Sequence, residues 1–153
     1  MRAKAQLGKS DLPIDIGRKA KRKTLRAGFL PRNAAHGKTL EVKDVLEVLK
    51  AMHVMIPETS EVSEYLLDHP DLSCLIPPIC CKLIKTFHED ARLFLEIYRD
   101  PEIHDEYLTL YVRKNVYEEQ ILDYIDEAIA EFESALGSAS GWLLVTTDFL
   151  LPK

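Results

Sequence analysis

No apolar run in this 153-residue chain approaches the roughly 18 to 20 residues needed to cross a bilayer. The basic N-terminus is followed by no apolar block, so no secretory signal is expected. Cysteine is scarce. Cys74, Cys80 and Cys81 are odd in number and sit among Leu, Ile and Pro, which predicts buried thiols in a reducing cytoplasm rather than a disulfide framework. Glycine-rich phosphate loops, Gly-x-Ser-x-Gly and Gly-x-Gly-x-x-Gly are all missing, as are His-x-x-x-His, Cys-x-x-Cys and EF-hand spacings. These gaps remove the motif-borne enzyme classes. One further absence is local: residues 115–152 contain neither Lys nor Arg.

What is present begins with 46% hydrophobic content, enough for one domain with a real core. The net charge of −5 hides a division. Residues 1–40 carry eleven basic side chains against Asp11 and Asp15, a surplus of nine that leaves −14 for the remainder. Residues 1–37 show no sustained period of 2 or 3.6, and read as a flexible basic arm. Its densest part, Arg18, Lys19, Lys21, Arg22 and Lys23, is a candidate phosphate-binding patch for nucleic acid. Residues 38–153 form the expected single domain. Met55 opens its orderly part, so a translation start there is an alternative reading.

Hydrophobic periodicity predicts an α+β fold of short helices followed by ββαβ, with helices packed on one face of a three-stranded sheet. Val42, Val45, Leu46, Leu49 and Met52 repeat at helical spacing, and Pro57 follows them. Thr59 or Ser60 can cap the next helix, Pro70 suits the first turn of another, and Pro77-Pro78 should force a break. The period then changes to two. Leu93, Leu95 and Ile97, and later Leu108, Leu110 and Val112, alternate with aromatic and polar residues, predicting two strands. Residues 117–136 read as one long helix with Gly137 at its C-terminus, and residues 142–147 as a third strand beside the first or the second.

Between the first two strands lie Asp100, Pro101, Glu102, His104, Asp105 and Glu106. Pro101 suits a turn and Asp100 can accept a backbone hydrogen bond, so a hairpin connection accounts for the segment. A metal-assisted hydrolase using these acids and His104 is the alternative. A metal site wants donors from more than one element, which one short loop does not offer. Cys81 with His88 makes a poor nucleophile and base, since an apolar helix raises a thiol's pKa. The predicted long helix exposes Glu119, Asp123, Asp126, Glu127 and Glu131 without an intrahelical cation. That stripe is the candidate surface for a basic partner, either another protein or the chain's own arm.

Three stretches carry a resemblance. They are Tyr65-Leu66-Leu67-Asp68-His69-Pro70-Asp71-Leu72, then Leu95-Glu96-Ile97-Tyr98-Arg99-Asp100-Pro101-Glu102 with Asp105-Glu106-Tyr107-Leu108, and Ser140-Gly141-Trp142-Leu143-Leu144-Val145-Thr146-Thr147-Asp148-Phe149. Residues 56–149 thereby resemble a family of small uncharacterised bacterial proteins. The resemblance assigns no activity to any residue, and the placing of similar proteins beside toxin–antitoxin or nuclease genes suggests only an antitoxin-like role. The expectation is a non-enzymatic cytoplasmic interaction module with no cofactor and no membrane contact. The acidic-loop hydrolase and the nucleic-acid-binding arm are the alternatives.

Overall fold

The structure, a computed structural model, describes residues 41–102 and 105–152. The proposed basic patch at Arg18, Lys19, Lys21, Arg22 and Lys23 lies outside the described residues, and so does His104. Three helices come first, α1 (Val42–Ala51), α2 (Thr59–Asp68) and α3 (Leu72–Phe87). Strands β1 (Ala91–Arg99) and β2 (Glu106–Lys114) follow, then helices α4 (Ile121–Ile129) and α5 (Glu133–Leu136), and strand β3 (Leu143–Thr146). The sheet order is β1-β2-β3, with β1 antiparallel and β3 parallel to β2. Its placement beside β2 makes the α4–α5 segment a crossover connection. No helix among the described residues is long and apolar enough to cross a membrane.

The alternation read in the sequence sets the sheet's two faces. Leu93 pairs with Val112, Leu95 with Leu110 and Ile97 with Leu108, all on the face covered by helices. Leu95, Leu108, Leu110 and Val112 are completely buried there. Each such burial contributes about 1.5–3 kcal/mol. Val45 and Leu49 of α1 and Val62 and Leu66 of α2 are equally buried in the same core. Met55 also extends the sheet: its N–H donates to Leu93 O and its carbonyl accepts from Leu95 N, both at 2.8 Å. Upstream of Met55, α1 contributes Val45, Leu46 and Leu49 to the core.

Several boundaries differ from the sequence reading. Pro77 and Pro78 lie inside α3 rather than breaking it. Each removes one i→i−4 hydrogen bond and costs about 3 kcal/mol. Leu72, Ile76, Ile79 and Leu83 are fully buried along the same helix. Four such burials, each about 1.5–3 kcal/mol, offset the two losses. Thr59 begins α2 without capping it, its hydroxyl donating to Ile56 O instead. Asp71 caps α3 by accepting from Leu72 N, leaving Pro70 just outside the helix.

The long C-terminal helix is also shorter and segmented. It begins at Ile121, and Tyr117 lies in the preceding loop, where its hydroxyl accepts from Lys114 N and donates to the Leu150 carbonyl. Ala130–Phe132 form a 3-10 turn between α4 and α5, with Ile129, Phe132 and Leu136 still packed on the core. Gly137 keeps a right-handed backbone, φ −66°, and makes no left-handed cap.

A left-handed terminus appears instead at His53 after α1 (φ 60°), while His88 after α3 takes φ 53° with ψ −139°, outside the left-handed helical region. After α1 the pattern is a Schellman closure. His53 N donates to Lys50 O at 2.9 Å and Val54 N to Leu49 O at 3.0 Å, while Val54 packs into the core. A β-branched side chain is poorly tolerated at this φ, and glycine carries no such penalty. The expected outcome is that His53→Val is less stable than His53→Gly by about 1–2 kcal/mol in urea unfolding. Equal stabilities would show that the closure is not held at that backbone angle.

Candidate functional site

The acidic connection between β1 and β2 behaves as a hairpin end. Asp100 N donates to Asp105 O at 2.8 Å, and Asp100 Oδ1 accepts from Glu102 N at 2.8 Å, continuing the ladder into the bend. Arg99 sits beneath it, pairing with Glu61 of α2 at 2.9 Å and with Glu106 at 3.3 Å. The hydrolase reading required the acids to converge with donors from elsewhere. Among the described residues no three His, Cys, Asp or Glu side chains are arranged to hold a metal ion.

The predicted acidic stripe is spread over three local structures. Glu119 precedes α4, Asp123, Asp126 and Glu127 lie on its exposed side, and Glu131 falls in the 3-10 turn. The sequence offered no intrahelical cation for Glu131. Lys82 of α3 supplies one across the helix pair, at 2.8 Å. Among the described residues Glu119, Asp123, Asp126 and Glu127 have no ion-pair partner. Asp123, Asp126 and Glu127 thus form an exposed acidic face on α4 with no ion pair among the described residues, Glu127 lying in the field of Lys82.

At the α2–α3 corner, Ser140, His69 and Asp71 meet. Ser140 Oγ donates to Asp71 Oδ1 at 2.7 Å, Ser140 N donates to Asp71 Oδ2 at 2.5 Å, and His69 Nδ1 lies 3.2 Å from Ser140 Oγ. These are the residue types of a nucleophilic triad wired differently. In a triad the imidazole bridges hydroxyl and carboxylate and accepts the hydroxyl proton. Here the single hydroxyl proton is committed to Asp71, so the arrangement is a clasp. Tyr65 completes it, its hydroxyl accepting from Trp142 N at 2.9 Å and donating to Trp142 O at 3.2 Å. Gly141 is required between them: a Cβ there would come within 2.5–2.9 Å of the His69 Cβ, Cγ and Cδ2.

The clasp holds Trp142 at the entry to β3, where its indole is 68% exposed. Tyr98 and Tyr107 are cross-strand partners with ring centroids 5.0 Å apart, and Trp142 follows at 6.3 Å from Tyr107. The three rings form one row across the face of the sheet opposite the helices. The mixed aromatic-polar strand face is legible in the sequence but the row is not, since Trp142 joins only when β3 is placed beside β2. At the far end of that face Arg113 is nearly buried. It makes a bidentate bond to Asp148, Nη2 donating to Oδ2 at 2.6 Å and Nε to Oδ1 at 3.1 Å, pairs with Glu96 at 3.1 Å and lies 4.1 Å from the Phe94 ring centre.

Of the three cysteines only Cys80 is buried; Cys74 is exposed and Cys81 half-buried, against the expectation of buried thiols. Burial, with adjacent Cys81 adding to it, pushes the Cys80 thiol up to about 12. Among the described residues no hydrogen bond joins Cys81 to His88. Comparison with known proteins finds no matching family model, curated protein or solved structure. The functional reading therefore rests on the chain's own chemistry.

Two outcomes test the clasp and the Arg113 anchor. Gly141→Ala is expected to cost about 1–3 kcal/mol by overpacking, and His69→Ala in the same chain should recover part of it. A cost unchanged by His69→Ala would contradict the contact. The second outcome concerns pH. Partial burial raises the Asp71 and Asp148 carboxyls, but hydrogen bonds from Ser140 and Arg113 respectively outweigh it, and both end below their ordinary values. Their stabilisation is thus present above the unfolded carboxylate range, about pH 4, and is lost as pH falls through the lowered folded values. The double variant Asp71→Asn with Asp148→Asn should be less stable than the parent at pH 7, with the gap narrowing by pH 3. A constant gap would contradict this.

Proposed function

We propose that residues 41–152 are a non-enzymatic interaction module for a cationic protein partner, an adaptor or antitoxin-like role. The observation that carries this reading is the exposed face of α4, where Asp123, Asp126 and Glu127 lie side by side without ion-pair partners among the described residues. The surrounding charge supports it. Residues 41–152 contain 23 acidic side chains against eight Lys or Arg, and four of those eight already pair within the domain. Such a surface speeds encounter with a basic partner and repels acidic ones, phosphate backbones included. Electrostatic repulsion along α4 costs stability only a few tenths of a kcal/mol per pair, so the fold tolerates it.

A lysine-rich peptide titrated into the full chain by calorimetry tests this reading. The parent is expected to bind, with affinity falling as salt is raised. Asp126→Lys with Glu127→Lys should weaken binding about tenfold, about 1.4 kcal/mol, with the circular dichroism unchanged. Binding unaffected by the reversal, or absent from the parent, would contradict the assignment to α4.

A further inference from the structure

The sheet face opposite the helices displays Tyr98, Tyr107 and Trp142 in a row, at the end of the molecule that carries the acidic bend. Exposed tryptophan is uncommon, and this one is not loosely held. Its N–H and carbonyl are both tied to the Tyr65 hydroxyl, and its carbonyl also accepts from Leu108 N at 3.1 Å. A fixed main chain with an indole 68% in solvent is a built display rather than a stray side chain.

Carboxylates stand on the bend side of the row, where the pairing of Asp100 with Asp105 extends the ladder one step past Tyr98 and Tyr107. On the other side Glu96, next to Tyr98 on the same face, is already paired with Arg113 at 3.1 Å. Tyr107 responds to this setting. Its phenol is raised, by loss of solvent first and then by Tyr98 and the negative charge of Asp100 and Asp105. Negative ring faces bordered by carboxylates attract a cation. The same carboxylates repel phosphate, so a nucleic-acid strand stacking on these rings is disfavoured.

We propose that the row Tyr98–Tyr107–Trp142 is a recognition site for an arginine side chain of an extended basic peptide, the guanidinium lying on the rings and facing the hairpin carboxylates. This rests on the cationic-partner reading and gives it a second, chemically defined contact apart from α4. Arginine suits the site better than lysine because its planar guanidinium stacks on aromatic rings while its N–H groups reach a carboxylate.

Trp142 is the chain's one tryptophan, so its fluorescence reports the site directly. Titration of the full chain with an arginine-rich peptide is expected to change that fluorescence saturably. The lysine analogue should bind more weakly. Tyr107→Leu and Asp105→Asn should each weaken binding by about fivefold or more, whereas Tyr107→Phe, which keeps the ring, should bind as the parent does. A single-stranded oligonucleotide should leave the emission unchanged. The proposal is overturned if the peptide binds without altering Trp142 emission, or if Tyr107→Leu binds as tightly as the parent. A saturable response to the oligonucleotide instead would also overturn it, assigning the row to nucleic acid. Failure of this site alone leaves binding still sensitive to Asp126→Lys with Glu127→Lys, whereas failure of the cationic-partner reading abolishes peptide binding altogether.

Discussion

The register between β1 and β2 is the constraint from which the remaining architecture follows. With Leu95 opposite Leu110 and Ile97 opposite Leu108, the aliphatic side chains of both strands fall on one face. The helices bury them there. A slip of one residue would turn that set to solvent and drive Tyr98, Tyr107 and the carboxylates beside them into the core. Burying four or five aliphatic side chains is worth several kcal/mol, so the slipped pairing cannot compete. The exposed chemistry of the opposite face is therefore a consequence of the buried face.

The third strand depends on that ribbon and on a separate clasp. β3 buries Leu143 and Val145 against the same core, in parallel register with Leu108 and Leu110. Its entry is held by Tyr65, His69 and Asp71 at the α2–α3 corner, and the chain just beyond it is held by Arg113 gripping Asp148. Local contacts at both ends thus locate a strand of only four residues. The same clasp presents Trp142 and completes the aromatic row, so sheet assembly and site assembly are one event.

The sequence exposed the period-two strands plainly, because Leu93, Leu95, Leu108 and Leu110 repeat without interruption. The helices–ββαβ order and the hairpin were legible for the same reason. Other features depended on tertiary context. Pro77 and Pro78 announce a break by local rules, yet the burial of Ile76 and Ile79 on either side keeps α3 whole. Tyr117 fits a helical stripe by spacing, but its hydroxyl is held by Lys114 and Leu150. Gly137 looked like a left-handed terminus, while His53 takes that conformation. The acids of α4 were readable one by one. The neutralisation of Glu131 by Lys82 was not, because the two residues are 49 positions apart.

Interstrand Hα–Hα contacts measured by NMR test the pairing most directly. Met55 takes the outward hydrogen bonds of β1 at Leu93 and Leu95, and Trp142 takes that of β2 at Leu108. Those strand positions therefore form the close, non-hydrogen-bonded pairs, with Cα atoms about 4.5 Å apart. The account predicts strong cross-peaks between Leu95 and Leu110 and between Ile97 and Leu108. Cross-peaks from Leu95 to Thr109 or to Tyr111 would mean a shifted ribbon, with the aromatic row facing inward, and would contradict it.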